Sequence, residues 1–216
     1  MNMQTDDLIK RLGDELIPVR PLSPPGKRAA VWMLAAGVYL AAAMLFAWVR
    51  HGALAGTGAW LFAVQQAAVA ATAVAAALGA FASVIPGATP RFRLAPLAPT
   101  ALMMATLIIG SVDDLRVHST LGLGRETDWP CVISLTLGGA LLWAVAMSML
   151  RRGAPLTPRV SSVLAGVAAL SVANIEACLA RPHMFTSTVV LWHGLTIIVV
   201  GAVFMRLGPE LLKWRT

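Results

Sequence analysis

The sequence predicts an all-α fold: a polytopic membrane bundle of six transmembrane helices, preceded by a short cytoplasmic amphipathic helix. Three observations predict it. Of 216 residues, 58% are hydrophobic and only 12% charged, against about 25% charged in an average domain, which leaves too little polar surface to cover a soluble particle of this size. Six apolar runs reach or approach the roughly 20 residues that cross a bilayer as a helix. No run alternates with a two-residue period, which argues against a lipid-facing barrel. Backbone groups in lipid must be paired within their own segment, so helices remain.

The first element, within residues 3–25, is the one sizeable water-compatible stretch before the apolar runs begin. Thr5 can N-cap a helix, and Asp6 and Asp7 follow where negative charge favours the dipole. Leu8, Leu12 and Leu16 recur every four residues with Ile9 beside them, so one face is apolar. Lys10, Arg11, Asp14 and Glu15 take the rest of the surface. Pro18 limits the helix, and Pro21, Pro24 and Pro25 make a stiff leader. About three turns are marginal alone in water, so the leucine stripe needs a surface to lie on. Two surfaces are open to it: lipid or the protein's own loops, or a cytoplasmic partner. Its four acids, and a following run longer than the roughly 7–15 residues of a signal-peptide core, count against a cleaved leader.

The spans then follow at about 29–49, 59–84, 95–112, 131–150, 159–180 and 186–206. Lys27 and Arg28 lead into the first, Pro86 cuts the second, and Pro96 and Pro99 enter the third. Arg151 and Arg152 end the fourth, Arg181-Pro182 the fifth, and a short tail follows the sixth. This divides the chain into a cytoplasmic segment (1–28), a transmembrane domain (29–206) and a cytoplasmic tail (207–216). With the amino terminus inside, thirteen of the 17 Lys and Arg fall on the inner side; Arg50, Arg116, Arg125 and Arg181 fall outside. That bias sets the orientation, with both termini cytoplasmic. The net charge of +7 is therefore a topology signal. No basic stripe with interleaved aromatics points to direct nucleic-acid binding.

The second span is rich in small residues, among them Ala68, Ala71, Ala75, Gly79 and Ala80, and Gly138, Gly139, Gly166 and Gly201 recur in later spans. Small residues let helix backbones approach closely in lipid. They serve tight packing within the bundle or, through the same faces, a homodimer. The tryptophans lie mostly near span ends, as an interfacial belt requires.

Chemistry-bearing residues are few. The fourth span runs outside to inside from Cys131, and the fifth runs inside to outside and ends just past Cys178. Both thiols therefore sit at the outer level on consecutive antiparallel helices. A disulfide or redox-active pair is permitted on that side of a bacterial inner membrane, and inert apolar filling is the other reading. Asn174 and Cys178 share a helix face. Glu176 points away from them, towards the outer interface or a partner inside the bundle. His118, His183 and His193 are the remaining soft-metal candidates beside the thiols, but no CxxC or HxxxC spacing supports a metal. Asp113 and Asp114 read as solvated residues at a turn opening the 113–130 loop. There is no P-loop, dinucleotide fingerprint or Ser-His-Asp arrangement, so no catalytic residue and no cofactor is expected.

The strings TDDLIKRLGDELIPV at 5–19, WPC at 129–131, IEACLARPH at 175–183 and WHG at 192–194 resemble the membrane anti-sigma factors typified by negative regulator of sigma F (NrsF), over essentially the whole chain. The resemblance implies a function that composition cannot reach. A short cytoplasmic amino terminus would hold an extracytoplasmic-function sigma factor at the inner membrane, through Asp6, Asp7, Leu8, Leu12, Asp14 and Leu16. Cys131 and Cys178 would sense the stress that releases it. Two other classes compete. A quinone-linked thiol oxidoreductase needs CxxC pairs and more thiols than the two present. A small membrane transporter needs a polar midplane path, for which Gln65, Gln66, Asn174 and His193 are the whole supply.

Overall fold

The computed structural model describes residues 3–14, 22–51, 60–87, 89–118, 129–153, 155–180 and 186–213. Among them are eight helices and no strand. They are α1 (Met3–Asp14), α2 (Pro25–His51), α3 (Trp60–Ala82), α4 (Arg91–Leu94), α5 (Leu97–His118), α6 (Trp129–Arg151), α7 (Pro158–Leu179) and α8 (Thr186–Leu211). Six are long and apolar enough to cross a membrane: α2, α3, α5 with α4 leading into it, α6, α7 and α8.

Helices in lipid gain nothing from excluding one another from hydrocarbon, so close packing and interhelical hydrogen bonds must hold the bundle. The sequence of α7 is built for that. Ser161, Ser162, Ala165, Ala168, Ala169 and Ala173 are almost entirely buried, and they let α3, α6 and α8 approach from different sides, with α2 in a lesser contact. Of the apolar window of α7, 72% is buried, against 17% for α2 and for α8. α7 is thus the axis, and α2, α5 and α8 present wide faces to lipid. The small residues of α3 do a related job: Ala68, Ala73, Ala76, Ala77 and Ala80 turn inward, chiefly onto α7.

Polar groups lock particular pairs. The Trp32 indole N–H donates to the Leu142 carbonyl at 3.1 Å, tying α2 to α6. The Ser83 and Ser161 hydroxyls are 2.6 Å apart, joining the end of α3 to the start of α7. Ser162 donates to the Phe204 carbonyl at 3.0 Å, and the Trp143 ring stacks on Phe204 at 4.3 Å between centroids. An interhelical hydrogen bond in a membrane is worth on average about 0.6 kcal/mol, so these bonds chiefly fix rotation and register.

Several expectations need correction. Trp32 and Trp143 are core residues, 0% and 6% exposed, whereas Trp48, Trp60 and Trp129 face outward near helix ends as a belt would. Both indoles bond their N–H across helices. Arg28, which leads into the first span, is buried as well. It is 7% exposed, donates to the Met149 carbonyl and lies over the Phe81 ring at 5.0 Å, a cation–π contact. The helices run beyond the apolar spans: α2 begins at Pro25, and α8 passes through Pro209 to Leu211.

Candidate functional site

Two regions carry the residues singled out by the sequence. The first is α1. It begins at Met3, so Thr5 lies within its first turn and is not its N-cap. Leu8, Ile9 and Leu12 are 57%, 62% and 57% exposed, and Asp7 and Asp14 are exposed with them. None of the substantial contacts between elements involves α1. The stripe is therefore present and uncovered among the described residues. Leu16 and Pro18 lie outside those residues, and so does the side chain of Asp6.

The second region is the start of α6 and the end of α7. Cys131 and Cys178 form no disulfide and are nearly inaccessible, at 2% and 6%. On α7, Asn174 stands one turn before Cys178. His193 of α8 faces both, with its Nδ1 2.7 Å from Asn174 Oδ1 and 3.9 Å from Cys178 Sγ. The thiol of Cys178 is thus flanked by polar side chains from α7 and α8. His118 closes α5, with its side chain outside the described ones, and His183 lies outside them altogether. Among the described residues, no group of three or more His, Cys, Asp or Glu could hold a metal ion.

Glu176 does not sit at the interface. It is 9% exposed and accepts the Ser134 hydroxyl from α6, while the Tyr39 phenol of α2 reaches both groups. A carboxyl in this setting needs such donors, because nothing else in lipid can replace its hydration. Gly138 makes the approach feasible: a β-carbon there would collide with the Tyr39 hydroxyl. Sequence reasoning had no means of finding this cluster. The chain's single tyrosine carries no motif, and its partners are far away in sequence.

Asp113 and Asp114 lie inside α5 and do not open a turn. Asp114 Oδ2 accepts the Thr186 backbone N–H at 2.6 Å. Thr186 is the first residue of α8, where unpaired N–H groups and the helix dipole both favour a carboxylate. The pair joins the third and sixth spans at the end opposite Arg28.

The model of the family described as negative regulator of sigma F matches residues 12–214. The chain belongs to that family. A relative described as "Probable anti-sigma-F factor NrsF", from Azospira oryzae, is 24% identical over 215 residues, spanning 98% of this chain and 100% of the relative. No solved structure matches. The NrsF match starts inside α1 at Leu12 and takes in both cysteines, His193 and every span. Membership makes the chain a negative regulator whose partner is a sigma factor.

Proposed function

We propose that the chain is a membrane-bound anti-sigma factor that sequesters an extracytoplasmic-function sigma factor through α1. Release follows a stress signal received at Cys131 and Cys178 on the periplasmic side of the bacterial inner membrane, with both termini cytoplasmic. The observation that carries the reading is the uncovered stripe of Leu8, Ile9 and Leu12. An amphipathic helix with an exposed apolar face is the ligand half of a helix-in-groove complex. Asp7 and Asp14 flank the stripe and would pair with basic sigma-factor surface. Family membership supplies the kind of partner, and the excess of Lys and Arg in the inner segments supplies the orientation.

The test is Leu12→Glu in the full-length chain. A leucine seated in a groove contributes about 1.5–3 kcal/mol, so the charge should weaken sigma binding roughly tenfold to a hundredfold. The measurement is sigma-factor recovery with the tagged chain from solubilised membranes. Recovery equal to that of the unaltered chain, at equal membrane levels, removes α1 from the interface.

A further inference from the structure

We infer that Tyr39, Ser134 and Glu176 form a latch that holds α2 against α6 and α7, and that this latch transmits the state of the outer thiols to α1. The inference rests on the reading above, in which α1 binds the sigma factor, and it addresses how a signal could reach that helix.

The argument starts from connectivity. The chain enters the bundle through α2, so any change felt by α1 must pass along α2 or its leader. Four contacts fasten α2 and its leader to α6 or its end. Tyr39 meets Ser134 and fills the space beside Gly138. Trp32 bonds the Leu142 carbonyl, and Arg28 bonds the Met149 carbonyl. Leu22, ahead of α2, crowds Gly153 together with Arg28.

The outermost of these contacts is unlike the others. Trp32 and Arg28 bond backbone carbonyls of α6 alone. Tyr39 engages side chains of α6 and α7 together, through Glu176. Ser134 stands one turn after Cys131, and Glu176 two residues before Cys178. A shift of either outer helix end therefore alters the donors around a carboxyl that is buried and cannot turn to water. Losing one of them is costly, because the carboxyl is left partly unpaired. The bundle can relieve that cost by letting α2 rotate or slide. Packed helices are bistable rather than continuously deformable, so a small displacement at the latch becomes a change of state at the inner end. Such a change counts as signalling only if the two states hold the sigma factor differently, and α1, as the leader of α2, is placed to make that difference.

The experiment uses the full-length chain in membranes and the sigma factor recovered with it, read by a sigma-dependent reporter without any inducer. Tyr39→Phe and Glu176→Leu should raise the uninduced output roughly threefold to tenfold, the range of one interhelical hydrogen bond. Gly138→Ala, which displaces the Tyr39 hydroxyl without removing a polar group, should do the same. Glu176→Gln keeps an acceptor for both hydroxyls and should stay repressed, whereas Glu176→Leu, of similar bulk without an acceptor, should not, a contrast that a purely bulk-structural role would not give. The derepression should persist when Cys178→Ser is added, because the latch lies between the thiols and α1. Membrane levels are equalised by immunoblot. Should Tyr39→Phe fail to accumulate, Ser134→Ala decides in the same direction, since it removes a single hydroxyl. Output at the wild-type level in Tyr39→Phe and Glu176→Leu, with Leu12→Glu fully derepressed, overturns the latch and leaves the docking reading standing. If Leu12→Glu itself stays repressed, the docking reading fails and the latch fails with it.

Discussion

Single residues in this molecule owe their roles to what lipid denies them. Asp113 and Asp114 are the clearest contrast, adjacent in sequence and read alike from it. Asp113 is exposed, while Asp114 turns to the first N–H of α8. Which of two neighbouring acids does the work depends on where a helix 72 residues later begins, and no local pattern encodes that. Removing the carboxylate leaves a helix-terminal donor without this acceptor. Loss of a capping side chain costs about 0.5–2 kcal/mol, so Asp114→Ala should lower the melting temperature of the detergent-solubilised protein, whereas Asp113→Ala should leave it unchanged. Equal effects from the two substitutions would mean that the contact with Thr186 contributes nothing. Glu176 follows the same logic. Its sequence neighbours left the interface or the bundle interior open, and Ser134 and Tyr39 decide for the interior.

At the scale of helices, the spans themselves were legible and their arrangement was not. Hydropathy located all six apolar helices to within a few residues, except that α5 runs on to His118 and α8 to Leu211; apolar length is a property of each segment alone. The axial position of α7 depends on comparison between segments, and all six are apolar on every side. The usable signal was the density of Ser, Ala and Gly on more than one face of α7, which admits neighbours from several directions; the alanines of α3 drew attention first. This arrangement predicts an asymmetry. Ala169 on α7 is 0% exposed, whereas Ala41 on α2 is exposed. Inserting extra methylenes into a packed interior costs about 1–3 kcal/mol. Ala169→Leu should therefore destabilise the bundle in a detergent melt, and Ala41→Leu should not. A reversed order would displace α7 from the centre. The candidate site divides along the same line. The stripe of α1 and the placing of both cysteines near one end of the bundle follow from period and topology, while the meeting of Asn174 and Cys178 with His193 depends on three-dimensional packing.

Among the described residues the six long apolar helices pack as one bundle and α1 makes no substantial contact with it, and the proposed regulation needs that helix and the thiols on opposite sides. The structure alone carries no membrane direction. The direction proposed above rests on charge: Lys27, Arg28, Arg91, Arg93, Arg151, Arg152 and Arg159 lie towards one end of the spans, and cationic residues near short loops favour the cytoplasmic side. The opposite end bears Trp129, which is exposed and two residues from Cys131, together with the Asp114–Thr186 pair. Two single-cysteine reporters separate the orientations in a chain whose native cysteines are replaced by serine. Thr5→Cys lies on α1 and Trp129→Cys at the start of α6, and both positions are exposed. A membrane-impermeant maleimide added to spheroplasts should label position 129 at once and position 5 only after the membrane is opened. Labelling of both from the same side would require an odd number of crossings between α1 and α6 to become even. No rearrangement of the latch or the docking helix could then reconcile an outer sensor with an inner partner, because the signal would no longer have a membrane to cross.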